Sequence, residues 1–316
     1  MTTSSVLMVR PVDFAFNSQT GQDNPYQQPL PLDEQVIQQR ALAEFEQAVT
    51  DLESFDIRVM VLEKAPTADK APTADKAPTA DKAPDAVFPN NWFATDTGGN
   101  IYLFPMKTVN RQREARPKAV SELLQSHGYT VGSTIEVADG ELILEGTGAI
   151  VFDHQHKLAY GALSERCHEP LLASFSQQIG YKPLGFSTVS SNGTPVYHTN
   201  VLMSVGEDFV VACTQAIVSQ DRAAFIESVE QSGKQLVDIT MAQMEQYYCA
   251  NILELKNTNA ERVLVLSAHA WSGFTQQQQA FFSTRMKICA PNITTIETVG
   301  GGSMRCMLAE VFNPYL

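Results

Sequence analysis

The chain has 316 residues, 44% of them hydrophobic and 18% charged, the balance of a globular protein able to bury a sizeable core without staples. Its formal charge of −13 leaves no basic surface for nucleic acid, and no apolar run reaches the length of a membrane span. Five widely spaced cysteines (167, 213, 249, 289 and 306) contain no CxxC pair, which favours a reducing, cytoplasmic compartment over a disulfide framework.

In chain order, the opening Met1-Thr-Thr-Ser-Ser5 lacks the cationic and apolar character of a secretory signal, so none is expected. A strand is expected over 6–10. A helix over 33–52 sets Ile37, Ala41, Phe45, Val49 and Leu52 on one face, and a strand over 57–62 follows. Next comes a repeat: Lys64-Ala-Pro-Thr-Ala-Asp69 recurs at 70–75 and 76–81, with a degenerate copy beginning at Lys82. A hexamer with one Pro, one Asp, one Lys and no large apolar residue has nothing to bury, so 64–85 reads as a surface loop insert.

Beyond the repeat, strands are expected at 101–104, 141–144, 149–152, 158–163, 201–205, 209–212, 236–239, 263–267 and 294–299. Helices are expected at 117–126, 170–179, 220–232, 241–248 and 276–286. Two or three short strands accompany each helix. That rhythm departs from strict βαβα alternation and suits repeated ββαβ units in an α/β protein.

Four segments carry residues with chemical potential. Phe88-Pro-Asn-Asn-Trp92 places Asn90 and Asn91 where they serve either as turn residues or as amides reading a planar neutral group. Leu144-Glu-Gly-Thr-Gly148 places Glu145 at the end of an apolar strand, facing water or accepting a proton. In Tyr197-His-Thr-Asn200, His198 leads an apolar run. It is either a satisfied structural residue or a general acid/base.

The fourth, Gly300-Gly-Gly-Ser-Met-Arg-Cys306, joins a cysteine to an arginine that favours its thiolate and to glycines that let backbone approach a ligand. A lone cysteine there is more often structural; with His198 and Glu145 it completes a thiol, an imidazole and a carboxylate. His154-Gln-His156, with Cys167 and His168 beyond, lacks a compact second ligand pair and reads as a polar turn, so no metal is expected. The glycine run lacks the GK[ST] ending of a phosphate loop, so no nucleotide is expected.

The order of these segments resembles the guanidine-modifying superfamily of arginine deiminase, dimethylarginine hydrolase and the amidinotransferases. Residues 88–92 sit where members carry F-x-x-D, 144–148 resemble L-E-G-G, and Gly161-Ala-Leu-Ser-Glu-Arg166 resembles G-x-S-x-R. His198-Thr-Asn200 resembles H-x-D, and 300–306 resemble the glycine-rich segment ending in the nucleophile. The resemblance is strongest to the bacterial amidinotransferase-like branch that contains citrulline hydrolase. It implies a pentein, an α/β-propeller of five ββαβ modules with pseudo-fivefold symmetry, formed by 1–316 as one catalytic domain.

The resemblance further implies Cys306, His198 and Glu145 as catalytic residues, with Asn90, Asn91, Arg166, Asn200, Arg305, Arg111 and Arg113 binding a small amino-acid substrate. Asparagines at 91 and 200 replace aspartates that pair with a guanidinium, and tilt the substrate towards a neutral ureido group. The expectation is a cytoplasmic, cofactor-free hydrolase taking citrulline to ornithine, ammonia and carbon dioxide through a cysteine adduct, with no nucleic-acid or membrane partner and room for a homodimer. Arginine deiminase, dimethylarginine hydrolase and amidinotransferase activities use the same residues. A non-catalytic binding pentein is the alternative of a different class.

Overall fold

The computed structural model describes residues 2–63 and 82–312, so most of the repeat, 64–81, lies outside the described residues. The strands are β1 (Ser5–Val9), β2 (Arg58–Leu62), β3 (Phe93–Thr95), β4 (Ile101–Leu103), β5 (Thr134–Glu136), β6 (Val151–Asp153), β7 (Leu158–Ala162) and β8 (Lys182–Phe186). They continue as β9 (Met203–Val205), β10 (Phe209–Ala212), β11 (Gln235–Asp238), β12 (Leu253–Lys256), β13 (Arg262–Val265), β14 (Lys287–Cys289) and β15 (Ala309–Glu310). Among the described residues they form five three-stranded sheets, the architecture of a pentein.

Every sheet has one plan. The middle strand pairs antiparallel with the strand before it and parallel with the strand after it, as in β3–β4–β5, β6–β7–β8, β9–β10–β11 and β12–β13–β14. A parallel return needs a crossover, and helices supply it: Pro117–Ser126, Glu169–Gln178, Ser219–Gln231 and Gln276–Ser283. The fifth sheet uses both chain ends. There β15 pairs antiparallel with β1, and the helix Glu34–Ser54 returns the chain to β2. Middle strands are covered on both faces, so Ser5–Val9 and Phe209–Ala212 are buried at every position and read as continuous apolar runs.

The helix Glu34–Ser54 starts where Asp33 accepts a hydrogen bond from the Gln35 amide at 2.8 Å, and it buries Ile37, Ala41, Phe45, Ala48 and Leu52. Val49, expected on that face, is only half-buried.

Four expectations need correction. Residues 294–299 form a helix, Thr294–Gly300, although β-branched residues dominate them. Its first amides are capped from a distance, Thr295 and Ile296 donating to the Glu44 carboxylate at 2.8 and 3.0 Å, and Gly301 ends it in the left-handed region at φ 64°. Residues 141–144 form no strand beyond a bridge from Leu144 to Cys167. Helical turns Gly146–Ala149 and Thr199–Leu202 precede β6 and β9, where strands were expected to begin. Asp85 was counted with the surface loop, yet it is buried and bound by Asn17 and Thr20, so the loop ends before it.

Candidate active site

Just ahead of the first strand of each sheet, the chain makes a short turn. Asn90 and Asn91 lie in such a turn before β3, Glu145 opens the one before β6, and His198 opens the one before β9. Cys306 lies in the turn Met304–Met307 before β15. The sequence-separated motifs are therefore equivalent positions of four of the five sheets. Cys306, His198, Asn91, Arg111 and Arg166 line one cavity with Asp85, Phe88, Tyr197 and Gly300–Gly302.

Glu145 is fully buried, and both its oxygens are engaged. One accepts from the Lys107 amide at 2.9 Å; the other accepts from His198 Nε2 at 2.8 Å and from Arg166 at 3.4 Å. Burial disfavours its charge, but Arg166, His198 and Arg111 outweigh that and hold it well below the usual carboxylate range. An ionised carboxylate only accepts, so His198 carries its proton on Nε2 and keeps the Nδ1 lone pair free.

Burial lowers the His198 pKa despite Glu145, and burial raises that of Cys306 despite Asn251, Arg305 and Asn200. The resting pair is therefore a thiol and a neutral imidazole.

Arg111 is buried in a two-pronged ion pair with Glu114, whose own pKa burial pushes up to about 7. It also donates to Asn91 Oδ1 at 2.7 Å and to the Phe88 carbonyl at 3.0 Å. Guanidinium has no acceptor, so the oxygen of Asn91 must face Arg111 and the amide nitrogen must face away. Asn91 Nδ2 is buried without a hydrogen-bond partner. Asn200 turns Nδ2 towards Cys306 Sγ at 3.4 Å and leaves Oδ1 unpartnered. Asn90 is buried with both amide atoms unpartnered and does not line the cavity.

Arg166 binds Asp23 and Glu145, packs its guanidinium 5.2 Å from the Tyr197 ring, and keeps Nε unpartnered.

Arg305 and Arg113 do not join them. Arg305 donates to the Leu308 carbonyl at 2.9 Å and pairs with Glu310 at 3.2 Å, where it lines a different cavity with Asn200. Consecutive residues of a 3₁₀ turn point about 120° apart, so adjacency to Cys306 does not bring it to the site. Arg113 is exposed and lines no part of the cavity. Arg111 reaches it, but as a clamp on Asn91 and Glu114 rather than as a partner for a substrate carboxylate.

The segment 17–27 closes the cavity. Asn17 and Thr20 donate to Asp85 at 2.7 and 2.8 Å, Gln27 donates to the Gly300 carbonyl at 3.0 Å, and Asp23 pairs with Lys107 and Arg166. With this segment in place the cavity holds about 20 Å³, room for one water. Neither the segment nor Asn251, whose amide lies 3.2 Å from Cys306 Sγ, was found from the sequence. The residues of 17–27 look like turn formers. The signal for Asn251 is its place ahead of β12, the one sheet to which no motif had been assigned.

A family profile described as N,N dimethylarginine dimethylhydrolase, eukaryotic, matches residues 10–313. The chain belongs to the N,N-dimethylarginine dimethylhydrolase family. No curated protein matches the sequence. Among solved structures, the product-bound N-terminal domain of ArgZ, an arginine dihydrolase from the ornithine-ammonia cycle in Cyanobacteria, superposes with a TM-score of 0.72 at 15% identity, over 99% of this chain and 98% of that one. Apo ArgZ gives 0.72 at 14% identity over 99% of this chain, which spans only 41% of that longer protein. SxtG, an amidinotransferase from Microseira wollei in the saxitoxin biosynthetic pathway, gives 0.67 at 11% identity over 100% of this chain and 96% of that one. At these identities the likeness is one of fold.

Within this dimethylarginine dimethylhydrolase frame, Gly148 keeps the site open. A Cβ there would lie 2.1 Å from Asn91 Nδ2 and 3.0 Å from His198 Nδ1. Since Arg111 holds Asn91, the amide cannot simply swing away. Gly148→Ala is expected to lower kcat/KM about a hundredfold, the cost of a misplacement near 1 Å, in steady-state assays of protein whose melting temperature is checked in parallel. Unchanged kinetics would show that Asn91 is not held as described.

Proposed function

We propose that this protein is a cysteine-dependent hydrolase of ureido amino acids, converting citrulline and water to ornithine, ammonia and carbon dioxide. One observation carries this reading over a guanidino substrate: Arg111 occupies the oxygen of Asn91, a residue that lines the cavity, leaving its N–H donor buried and unpartnered beside Gly148. A ureido carbonyl can accept that hydrogen bond; a guanidinium has no acceptor, and an unmatched buried donor costs about 1–3 kcal/mol. Asn200, beside Cys306, keeps an unpartnered acceptor, Oδ1, which is the candidate partner of a ureido N–H once substrate is bound.

In the proposed sequence, the Cys306 proton passes to His198 Nδ1 and the thiolate attacks the ureido carbon. His198 returns the proton to the departing nitrogen as ammonia leaves, and the carbonyl carbon stays on sulfur as an S-carbamoyl adduct. Water, deprotonated by His198, then displaces the sulfur, and the resulting carbamate loses carbon dioxide to give ornithine. Glu145 fixes the imidazole and stabilises its charge, while Arg166 is the candidate partner of the substrate carboxylate through its free Nε. Five unpaired cysteines support placing the enzyme in the cytoplasm.

A second reading, arginine as substrate, draws on Asp85, a carboxylate lining the cavity. Its oxygens already accept from Asn17, Thr20 and Gln27, and burial raises its pKa towards the neutral form, which weakens it as a partner for a cation.

Asn91→Asp tests the choice. Arg111 would take one carboxylate oxygen, and the other would face the cavity as an acceptor. The kcat/KM for citrulline is expected to fall about a hundred- to thousandfold while that for arginine falls less or rises, measured by ornithine and citrulline release. A variant that keeps full citrulline turnover would end the assignment.

A further inference from the structure

Four of the five sheets bring Asn91, Glu145, His198 and Cys306 together from the turn before their first strand, and the residue ahead of β12, Asn251, lies against Cys306 Sγ. Asn251 is wholly buried. Its backbone amide donates to the Tyr248 carbonyl at 2.8 Å, closing a turn in which Tyr248 adopts φ 57°, in the left-handed region. The side-chain Nδ2 donates to the Asn200 carbonyl at 3.1 Å and to Cys306 Sγ at 3.2 Å. A carbonyl oxygen accepts only, so the bond to Asn200 fixes the nitrogen end of this amide towards the sulfur. Oδ1, 3.6 Å from Sγ, is placed to accept from the protonated thiol.

A second amide, Asn200 Nδ2, reaches the same sulfur at 3.4 Å. Among the described residues, the guanidinium groups that share the cavity are already paired, Arg111 with Glu114 and Arg166 with Asp23 and Glu145, and His198 is neutral at rest. Arg305 is tied to Glu310, and Tyr197 and Tyr248 are buried phenols held neutral by desolvation. A buried thiolate without donors would be strongly disfavoured, and a neutral ureido substrate brings no charge to offset that.

We infer that Asn251 is a further catalytic residue, which with Asn200 holds the ionised sulfur of Cys306 by neutral N–H···S⁻ hydrogen bonds. The inference rests on Cys306 as nucleophile but not on the identity of the substrate. Asn251 also accounts for the foremost influence opposing burial in the thiol pKa. A carboxylate in its place would repel the thiolate and lose the donor.

The test is alkylation of Cys306 by iodoacetamide across pH in the whole protein without substrate, read by peptide mass. The thiol releases its proton to solvent, the sulfur–carbon bond forms and iodide leaves. Asn251→Asp keeps the shape of the side chain, and Asn251→Ala removes it. In both, the midpoint of the pH–rate curve is expected to rise by about one unit or more, a tenfold or greater loss of rate below the midpoint, with Asn251→Asp the more affected. If Asn251→Ala fails to fold, the isosteric variant decides. An unshifted curve in folded Asn251→Asp overturns the inference. If the wild-type protein shows no citrulline turnover while the shift is present, the ureido reading fails and the part assigned to Asn251 stands.

Discussion

Cys306→Ala is expected to reduce citrulline turnover by about a millionfold, the loss seen when the nucleophile of a covalent hydrolase is removed. The side chain is 4% exposed and lies between two amides, so removing one sulfur leaves a small void and costs stability of only about 1 kcal/mol. Ornithine release measured beside a thermal melt separates the two effects. Residual turnover within about a hundredfold of wild type would mean that water attacks without a covalent adduct.

Glu145→Gln is expected to lower kcat by about a thousand- to ten-thousandfold, the size of effect seen when the carboxylate behind a catalytic histidine is made neutral. The cause is specific to this site. Both carboxylate oxygens accept, one from the Lys107 amide and the other from His198 and Arg166, whereas an amide has one acceptor. One donor must therefore face an NH₂ group, and the imidazolium loses its counter-charge.

The pH profile gives an independent check. His198 must be neutral to accept the thiol proton, and burial holds its pKa below the ordinary 6.5, so the acid limb of kcat/KM should lie below that value. The Cys306 pKa is raised above 9.0, so the alkaline limb should lie above it. Glu145 raises the histidine pKa, so Glu145→Gln should move the acid limb to still lower pH. An acid limb that moved upward would place some other group in that limb.

Much of the site was legible because each motif combines a distinctive side chain with glycine or proline in a turn. Asn251 has neither: it lies between Ala250 and Ile252, and only the repeated sheet plan marks it. Asp85 was hidden by the repeat it follows, since its local sequence, Lys82-Ala-Pro-Asp85, imitates a surface hexamer.

The middle strands and long helices were read correctly because apolar periodicity marks them. The outer strands β3, β5, β14 and β15 run two or three residues, too short for any periodicity to register, and the longer β8 and β12 were missed as well, β8 because Pro183 and Gly185 break its apolar pattern. The helix Thr294–Gly300 was misread because its cap, Glu44, lies about 250 residues away in sequence and overrides a β-branched composition. Arg305 was misplaced because neighbours in sequence diverge in a tight turn.

The most direct test of the central claim is the product balance of the unmodified protein on citrulline and on arginine, supplied separately and followed by amino-acid analysis and ammonia release. Citrulline should yield ornithine and ammonia in equal amounts, with arginine consumed far more slowly. Arginine consumed while citrulline accumulates, with no ornithine formed from citrulline, would contradict it.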